Sequence, residues 1–598
     1  MKKTFLLCTV LACFAGMLSA NDAAVDCTVV PAMSPYRHLP GEKILDAKPG
    51  PEIGVIMAKN EIGSASFLLR TKDKDQQNVM ITVSDLVSAS GGKLPASAVT
   101  VRIVKYWYQD GTAWASYFAD PNQQELVPEL LLFDDDLVRV DRVKKQNFLR
   151  VGKTHRWMNY PEKIRYGLFN YLTEPVEDAK TLQPFALTKA EGHKKFFVTV
   201  KAPAKTADGI YQGTLTVKAA GNELLTRPLI VRVLPFELPR PKTWYNREKN
   251  FLPAMRIADV WHDYIHVDRD FKKLEAFRKM MYASMREHNI DYPLHPDTET
   301  YGRFTPEEEQ KIFRANLEWI RDAGFPRDMM LGGIKAFSWN FLYQKEEKWP
   351  KDCKKNFFER VDNELKITRE IMGDQIKIYP EGWNEPGLQT LVKERPTFKE
   401  LHKRGTFIQT SGKNSHLTRG GHNTEIVNMP GLPKPSTARP WHDMGNQVTS
   451  YAMPHTGVEN PDYIRRTHAV ELYKADFDGT CNYHYLQNGA GNIWRDTNGT
   501  FRTFSFIYAT PTAIIDTLEY EAYRTGIDDI RYATLLCQLA EEAVKRTDNV
   551  DIYYAGKLAL RFISLTQADR ENLDTFRLEM IEHILKLRKM LAAAKGEK

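Results

Sequence analysis

The sequence predicts a multidomain protein: an N-terminal β-sandwich, then a (β/α)8 TIM-type barrel, then a C-terminal helical cap. Three observations predict it. Short strand-like runs with turn signals fill positions 51–239, helices and short apolar strands alternate from Trp244, and the text after 504 is almost wholly helical. A chain of 598 residues is long enough for several domains. The expected division is a leader over 1–20, a sandwich over 28–240, a barrel over 244–503 and a closing helical region over 504–598.

The sandwich rests on β-branched and aromatic runs such as Phe67-Leu-Leu-Arg70, Val79-Met-Ile-Thr-Val83, 99–104 and Phe196-Phe-Val-Thr-Val200. Gly221-Asn222 reads as a hairpin turn leading into 229–233. The proline-rich stretch 234–241 reads as a linker, because proline donates no ladder bond. In the second region, 271–287 spaces Leu274, Phe277, Met280, Met281 and Met285 at helical intervals. Thr305-Pro-Glu-Glu-Glu309 has an N-cap threonine, proline in the first turn and acids against the helix dipole, and Gly324 closes that helix. Strands are expected near 250–252, 289–293, 329–333, 376–379, 406–410, 425–429, 448–452 and 481–485, eight in all. The amphipathic stretches 533–545 and 573–594 read as the cap.

Composition narrows the function. Lys2, Lys3, an apolar run from Phe5 to Leu18 and Ser19-Ala20 form an export leader. The run is too short for a membrane span, and the stretch before Cys13 is short for a lipoprotein signal, so a periplasmic or extracellular location is expected. Losing Lys2 and Lys3 lowers the formal charge from +7 to +5. That admits an anionic substrate, and no basic stripe with interleaved aromatics points to nucleic acid. Cys27, Cys353, Cys481 and Cys537 are scattered and lack metal-site spacing, so no metal or cofactor is expected; one disulfide or buried free thiols both remain open. Asp134-Asp-Asp136 lacks the glycine and terminal glutamate of a calcium loop.

The residues after each barrel strand matter most, because barrel active sites lie at the C-terminal ends of the strands. After the fourth comes Tyr379-Pro-Glu-Gly-Trp-Asn-Glu-Pro-Gly387, with Glu381 and Glu385 around Trp383. Cleaving a glycosidic bond needs one carboxylic acid to protonate the leaving oxygen and a second group opposite, and a tryptophan offers an apolar face to a sugar ring. Glu385, Asn384 and Glu381 are therefore the catalytic candidates. Trp383, Trp339, Arg419, Tyr451, His455, Tyr483, His484 and Tyr485 are candidates for binding an oligo- or polysaccharide. Trp441 and Trp494 are further stacking candidates, and Arg256, Lys335 and Arg419 further partners for an acidic sugar. His416, His422, His442, His455 and His484 share the downstream loops without the spacing of a metal-binding pair. A polysaccharide lyase using Tyr451, His455 and Arg419, and a non-catalytic glycan binder, are the competing readings.

The stretch 519–532 resembles the signature Trp-Glu-x-x-Arg-x-Gly-Ile-x-Asp-x-x-Tyr of glycoside hydrolase family 123 and of proteins carrying domain of unknown function 4091. Glu521, Arg524, Gly526, Ile527, Asp529 and Tyr532 match, and Tyr520 stands in place of the tryptophan. Lys59-Asn-Glu61, Gly209-Ile-Tyr-Gln-Gly213 and Phe236-Glu-Leu-Pro239 are similar to the same group, so the resemblance spans nearly the whole chain after the leader. It implies a sandwich followed by a catalytic barrel. Family 123 members act on β-linked N-acetylgalactosamine with an adjacent Asp-Glu pair after strand four, the glutamate as acid/base and the aspartate orienting the substrate's acetamido group. Glu385 matches the glutamate, but Asn384 stands where the aspartate should be. A neutral amide hydrogen-bonds an acetamide without offsetting the charge of an oxazolinium-like intermediate, so the resemblance does not carry substrate-assisted cleavage to this chain. Asn384-Glu385 also resembles the acid/base pair of the large retaining clan of barrel glycosidases, whose nucleophile follows strand seven. Here 451–455 has no carboxylate, and the next is Glu459. Glu381, Asp443, Glu425, Asp478 and Glu459 remain for the second carboxylate, with Glu381 preferred by position. Arg524 and Asp529 are expected to pair with each other and pin the cap to the barrel.

Overall fold

A computed structural model describes residues 24–109, 124–158, 170–257, 260–294, 304–338, 341, 344–412, 424–430, 433–452, 460–486, 493–494, 505–568 and 572–596. The expected leader over 1–20 lies outside them. No helix among the described residues is long and apolar enough to cross a membrane.

Two sheets occupy the N-terminal third. One is antiparallel, in the order Val25–Val30, Ile62–Thr71, Lys194–Lys201, Val99–Gln109, Glu125–Leu132. The other runs Phe185–Leu187, Gln76–Val83, Gly209–Ala219, Asn222–Glu237, Ile53–Lys59, with two short strands off its path. Their facing sides share one apolar core: Phe67, Leu69, Ile103, Phe196 and Val198 from the first, Val55, Val79, Leu215 and Val231 from the second. The first sheet is apolar on both faces. Phe197, Trp107, Leu130 and Leu132 point the other way, into a second core that continues through the barrel and the terminal helices. This explains the unbroken run Phe196-Phe197-Val198: a strand buried on both sides has no polar face to alternate with.

The hairpin turn is tight, with Ala220 at φ 48° and Gly221 at φ 82°, joining paired Ala219 and Asn222. The linker expected over 234–241 is corrected in part. The strand Asn222–Glu237 runs on through Leu234-Pro-Phe-Glu237, because its parallel pairing to Ile53–Lys59 breaks register between Val233 and Glu237, where Pro235 needs no ladder bond.

Eight parallel strands follow: Leu252–Arg256, Tyr292–Leu294, Met329–Lys335, Lys377–Glu381, Gln409–Ser411, Ile426–Pro430, Gln447–Ala452 and Gly479–Asn482. Called the first to eighth barrel strands, they form one curled sheet. The first bonds both to the second and to the eighth, and the seam between second and third carries no ladder, so the barrel is partly closed. Helices Phe271–Glu287, Pro306–Asp322, Cys353–Met372 and Leu388–Lys403 come between the early strands. Pro306–Asp322 starts with a full capping box between Thr305 and Glu308. Where the eighth strand closes on the first, only glycine fits: a Cβ on Gly479 would lie 2.3 Å from the Leu252 carbonyl oxygen.

The last region opens with an antiparallel pair, Ile507–Ala509 with Ile514–Asp516, where helix was expected from 504. The isoleucine-rich segments flank a Thr510-Pro511 turn and suit a hairpin. Helices Leu518–Val544, Val550–Leu565 and Leu573–Lys595 follow.

The 519–532 stretch forms the first turns of Leu518–Val544, almost wholly buried. Arg524 and Asp529 do not pair with each other, contrary to expectation. Arg524 bonds Glu521 on its own helix and donates to the Ile62 carbonyl of the sandwich at 2.6 Å. Glu521 also takes Arg102 of the sandwich at 2.5 Å. Asp529 receives Arg465 from the barrel at 2.7 Å and Arg577 from the last helix at 2.6 Å. The Tyr532 hydroxyl donates to Glu61 at 2.6 Å, and its ring meets Phe236 edge-on. Gly526 lets the barrel helix approach, since a Cβ there would lie 2.6 Å from the Arg465 carbonyl. The similar motifs at 59–61, 236–239 and 519–532 thus meet at one junction of sandwich, barrel and cap.

Candidate active site

The fourth barrel strand ends on Glu381, and the chain then runs beside the fifth. Gly382 N–H donates to the Gln409 carbonyl at 2.8 Å and Glu385 N–H to the Ser411 carbonyl at 3.0 Å. Gly382 has no room for a side chain, because a Cβ would sit 2.7 Å from Thr410 Oγ1. Glu385 takes φ 50°, the left-handed region that a glutamate adopts only when its surroundings impose it, at a cost of about 1–3 kcal/mol. Two side chains secure the loop. Glu394 accepts the Trp383 N–H at 2.8 Å, and Ser411 Oγ bonds Asn384 Oδ1 at 2.7 Å. Burial pushes the Glu394 carboxyl up to about 8.

These features close one side of a cavity of about 220 Å³. Arg256, Leu294, Glu381, Ser411, Asn428 and Tyr451 line it from the first, second, fourth, fifth, sixth and seventh strands. Cys481, Tyr483, Asn384 and Glu385 complete the wall. The Tyr451 hydroxyl donates to Glu385 Oε1, and burial together with that bond pushes the phenol well above its ordinary range. Tyr451 therefore stays a neutral donor. Burial pushes the Cys481 thiol up to about 12, which leaves it protonated and a poor nucleophile at neutral pH.

Glu381 is tied differently. Arg256 donates to its Oε1 from both terminal nitrogens at 2.9 Å and to Oε2 at 3.1 Å. The guanidinium fixes the direction of the carboxylate and balances its charge. The cavity thus holds one carboxylate in an ion pair and one, exposed Glu385, held by a neutral phenol.

Of the other second-carboxylate candidates, none of the described ones reaches the cavity. Glu425 precedes the sixth strand, receiving Ile408 N–H and His402; Asp478 precedes the eighth, receiving Tyr245, His442 and Val448 N–H. A residue that precedes a parallel strand lies at the opposite face from one that follows it. Asp443 caps the short helix before the seventh strand, on that same opposite side. Glu459 lies outside the described residues.

Among the binding candidates, Tyr451 and Tyr483 line the cavity. Trp383 is half-buried on the loop, edge-on to Phe337 at 5.0 Å, and Lys335 Nζ lies over that Phe337 ring. His484 is half-buried and packs against Tyr483. Tyr485 is a correction: it is fully buried, its hydroxyl 3.1 Å from Ser284 Oγ and its ring against Tyr520, because the strand-eight segment turns it into the cap interface. Trp441 and Trp494 are likewise buried, Trp494 between Trp107 and Tyr508, and offer no face to a sugar. Trp339, Arg419, His455, His416 and His422 lie outside the described residues. The cysteines Cys27, Cys353, Cys481 and Cys537 are all free thiols. His288, Asp516 and Glu521 bring ligand atoms within 4.8 Å of one another, but Arg102 already donates to both carboxylates at 2.5 Å, a cation in the place of a metal.

Ser411, Asn428 and Glu394 were missed by sequence reasoning. Ser411 stands at the end of strand five, so a stricter use of the strand-end rule finds it, whereas Asn428 lies in the middle of strand six. Glu394 sits inside a helix and gives no such signal.

The fold is similar to that of a family 123 glycoside hydrolase from Clostridium perfringens, at TM-score 0.62 over 96% of this chain and 100% of that one, with 10% identity. Weaker likenesses are to a Bacteroides fragilis protein named as a candidate β-galactosidase (TM-score 0.28, 9% identity, 78% of this chain and 59% of that one) and to a Bacteroides ovatus GH5 xyloglucanase (TM-score 0.27, 7% identity, 80% and 98%). No family sequence model and no curated protein matches the chain.

Proposed function

From a fold shared with a family 123 glycoside hydrolase, we propose that the protein is an exported glycoside hydrolase with its active site at the C-terminal ends of a (β/α)8-type barrel and Glu385 as general acid. The observation that carries the reading is the Tyr451–Glu385 contact in the strand-end cavity. It places a carboxyl group, aimed by a fixed donor, beside an open pocket. Glu385 donates its proton to the leaving glycosidic oxygen, a water adds to the anomeric carbon, and the water's proton passes to a carboxylate. Glu381 takes the second role, ion-paired to Arg256 and fixed in direction. Asn384, Tyr483 and Trp383 bind the sugar, the first by its amide and the others by their rings. As bounded by described residues, 220 Å³ is below the roughly 300–1,000 Å³ of a pocket for a whole ligand, and suits a single ring of a longer glycan. The leader-like residues before 21 support export.

One observation favours a second reading, glycan binding without cleavage: the Arg256–Glu381 pair leaves only Glu385 unpaired by a cation in the cavity wall. Purified protein incubated with aryl glycosides and extracted polysaccharides separates the readings. New reducing ends establish a hydrolase, an unsaturated product absorbing in the ultraviolet establishes a lyase, and retained binding with neither product establishes the binder.

A further inference from the structure

A second and larger cavity lies elsewhere, about 840 Å³ at the edge of the sandwich, and it shares no residue with the barrel pocket. Its walls are the edge strand Val25–Val30, the neighbouring strand Ile62–Thr71 with Lys72, the loop at 41–44 and the loop at 189–193, with Arg227 reaching in from the second sheet. Five cations line it: Lys43, Arg70, Lys72, Lys189 and Arg227. They face two carboxylates, Asp26 and Glu42. Asp26 is shared between Arg70 at 3.0 Å and Lys72 at 3.4 Å, at exposed positions where such pairs hold weakly and readily exchange partners. Lys43, Lys189 and Arg227 make no ion pair with any described carboxylate.

A concave wall lined mostly by one sign of charge focuses its field and draws in counter-charge. The polar character is as informative as the sign. No Trp, Tyr or Phe among the described residues lines the groove, so these residues offer no flat face on which a neutral sugar ring stacks. Its volume suits several linked residues. We propose that this groove is an accessory binding site for an anionic glycan segment, carboxylated or sulfated, held by Lys43, Lys189 and Arg227 with Arg70 and Lys72 turning from Asp26 to the ligand. The glycan class rests on the hydrolase reading, but the anion site itself does not.

The test is affinity electrophoresis and titration calorimetry of the full chain with dextran sulfate and polygalacturonate against neutral dextran, at low and at physiological salt. Wild-type protein is expected to bind at least one polyanion, more weakly as salt rises, and to ignore neutral dextran. Lys43→Gln/Lys189→Gln/Arg227→Gln is expected to weaken that binding at least tenfold while hydrolysis of small aryl glycosides is unchanged. If loss of Arg227 disturbs folding, Lys43→Glu/Lys189→Glu changes only exposed loop residues and is expected to do the same. Neutralising Lys153, Lys205 and Lys351, exposed elsewhere, is expected to leave binding within twofold. No polyanion binding, binding as strong to neutral dextran, or equal loss in the control and the groove variants would overturn the proposal. Inorganic sulfate that displaces nothing at millimolar concentration supports a polymer site, and full displacement at that concentration reduces it to a simple anion site and overturns the glycan assignment. Binding that survives while every glycoside stays uncut fails the hydrolase reading alone.

Discussion

Two regions of this molecule concentrate charge, and they are built on opposite principles. At the junction of sandwich, barrel and cap, Asp529, Glu521, Glu61, Arg102, Arg465 and Arg524 are buried, with Arg577 half-buried beside them, and each carboxylate meets a cation. In the barrel pocket, only Glu381 has a cation and Glu385 is left exposed beside a phenol. A buried charge must be matched or it costs several kcal/mol, so the junction is over-determined. The proposed general acid must keep a face open to a ligand, which fits the sparser pocket. The most recognisable stretch of the sequence, 519–532, therefore belongs to the region that holds the protein together and not to the candidate active site.

The comparison breaks most visibly at Asp529. Asp529→Ala strands Arg465 in the interior, takes a partner from half-buried Arg577, and is expected to cost about 3–5 kcal/mol, read as a lower denaturant midpoint by circular dichroism. Its effect on the turnover of the folded fraction should be small. An unchanged midpoint would mean that solvent reaches the junction and that the contrast with the pocket is false.

Glu385→Gln is the mirror experiment. The change is nearly isosteric and keeps an acceptor for Tyr451, so the denaturant midpoint should stay within roughly 0.5 kcal/mol of wild type. Turnover should fall by about 10²–10⁴, the scale of losing a general acid. Substantial activity in a well-folded Glu385→Gln protein would remove the catalytic assignment.

How far each region was legible follows from the same contrast. Periodicity carried the sheets and the barrel strands, because Phe67, Val79, Phe196 and Leu331 are buried by repeated geometric rules. It failed where context overrides local preference: Pro235 inside a strand at a register break, and the hairpin at 507–516. In the pocket, Glu381, Asn384 and Glu385 were legible through the strand-end rule. The Arg256–Glu381 pair was not, because residues 125 positions apart meet only once the sheet curls. Tyr485 was misplaced for a related reason: nothing in Tyr483-His484-Tyr485 tells which ring faces the cavity and which the cap.

Glu394 links the two modes, since it is buried like a junction carboxylate yet pairs with no cation among the described residues and supports the pocket loop. Its carboxyl, pushed up to about 8 from an ordinary 4.5, binds a proton in the folded protein over a range where the unfolded chain has released it. Stability from this group is therefore present at low pH and declines as pH rises from about 4.5 to about 8. Glu394→Gln keeps an acceptor for Trp383 N–H and cannot ionise. It is expected to raise stability at pH 8 by on the order of 1–2 kcal/mol, with little change at pH 5, as measured by denaturant titrations at both values. An equal effect at the two pH values would show that the carboxyl is not held protonated.

The smallest expected effect sharpens the pocket itself. Tyr451→Phe removes one hydrogen bond to Glu385 and leaves the ring in place, so its cost should be that of one hydrogen bond, about 0.5–1.5 kcal/mol, or roughly a two- to tenfold fall in kcat. KM should change less than kcat, because Tyr451 addresses the acid more than the sugar. Unchanged kcat and KM with a lower denaturant midpoint would assign Tyr451 to packing. A rise in KM with kcat intact would make it part of the sugar-binding wall, and Glu385 would then be aimed by its own strained backbone rather than by the phenol.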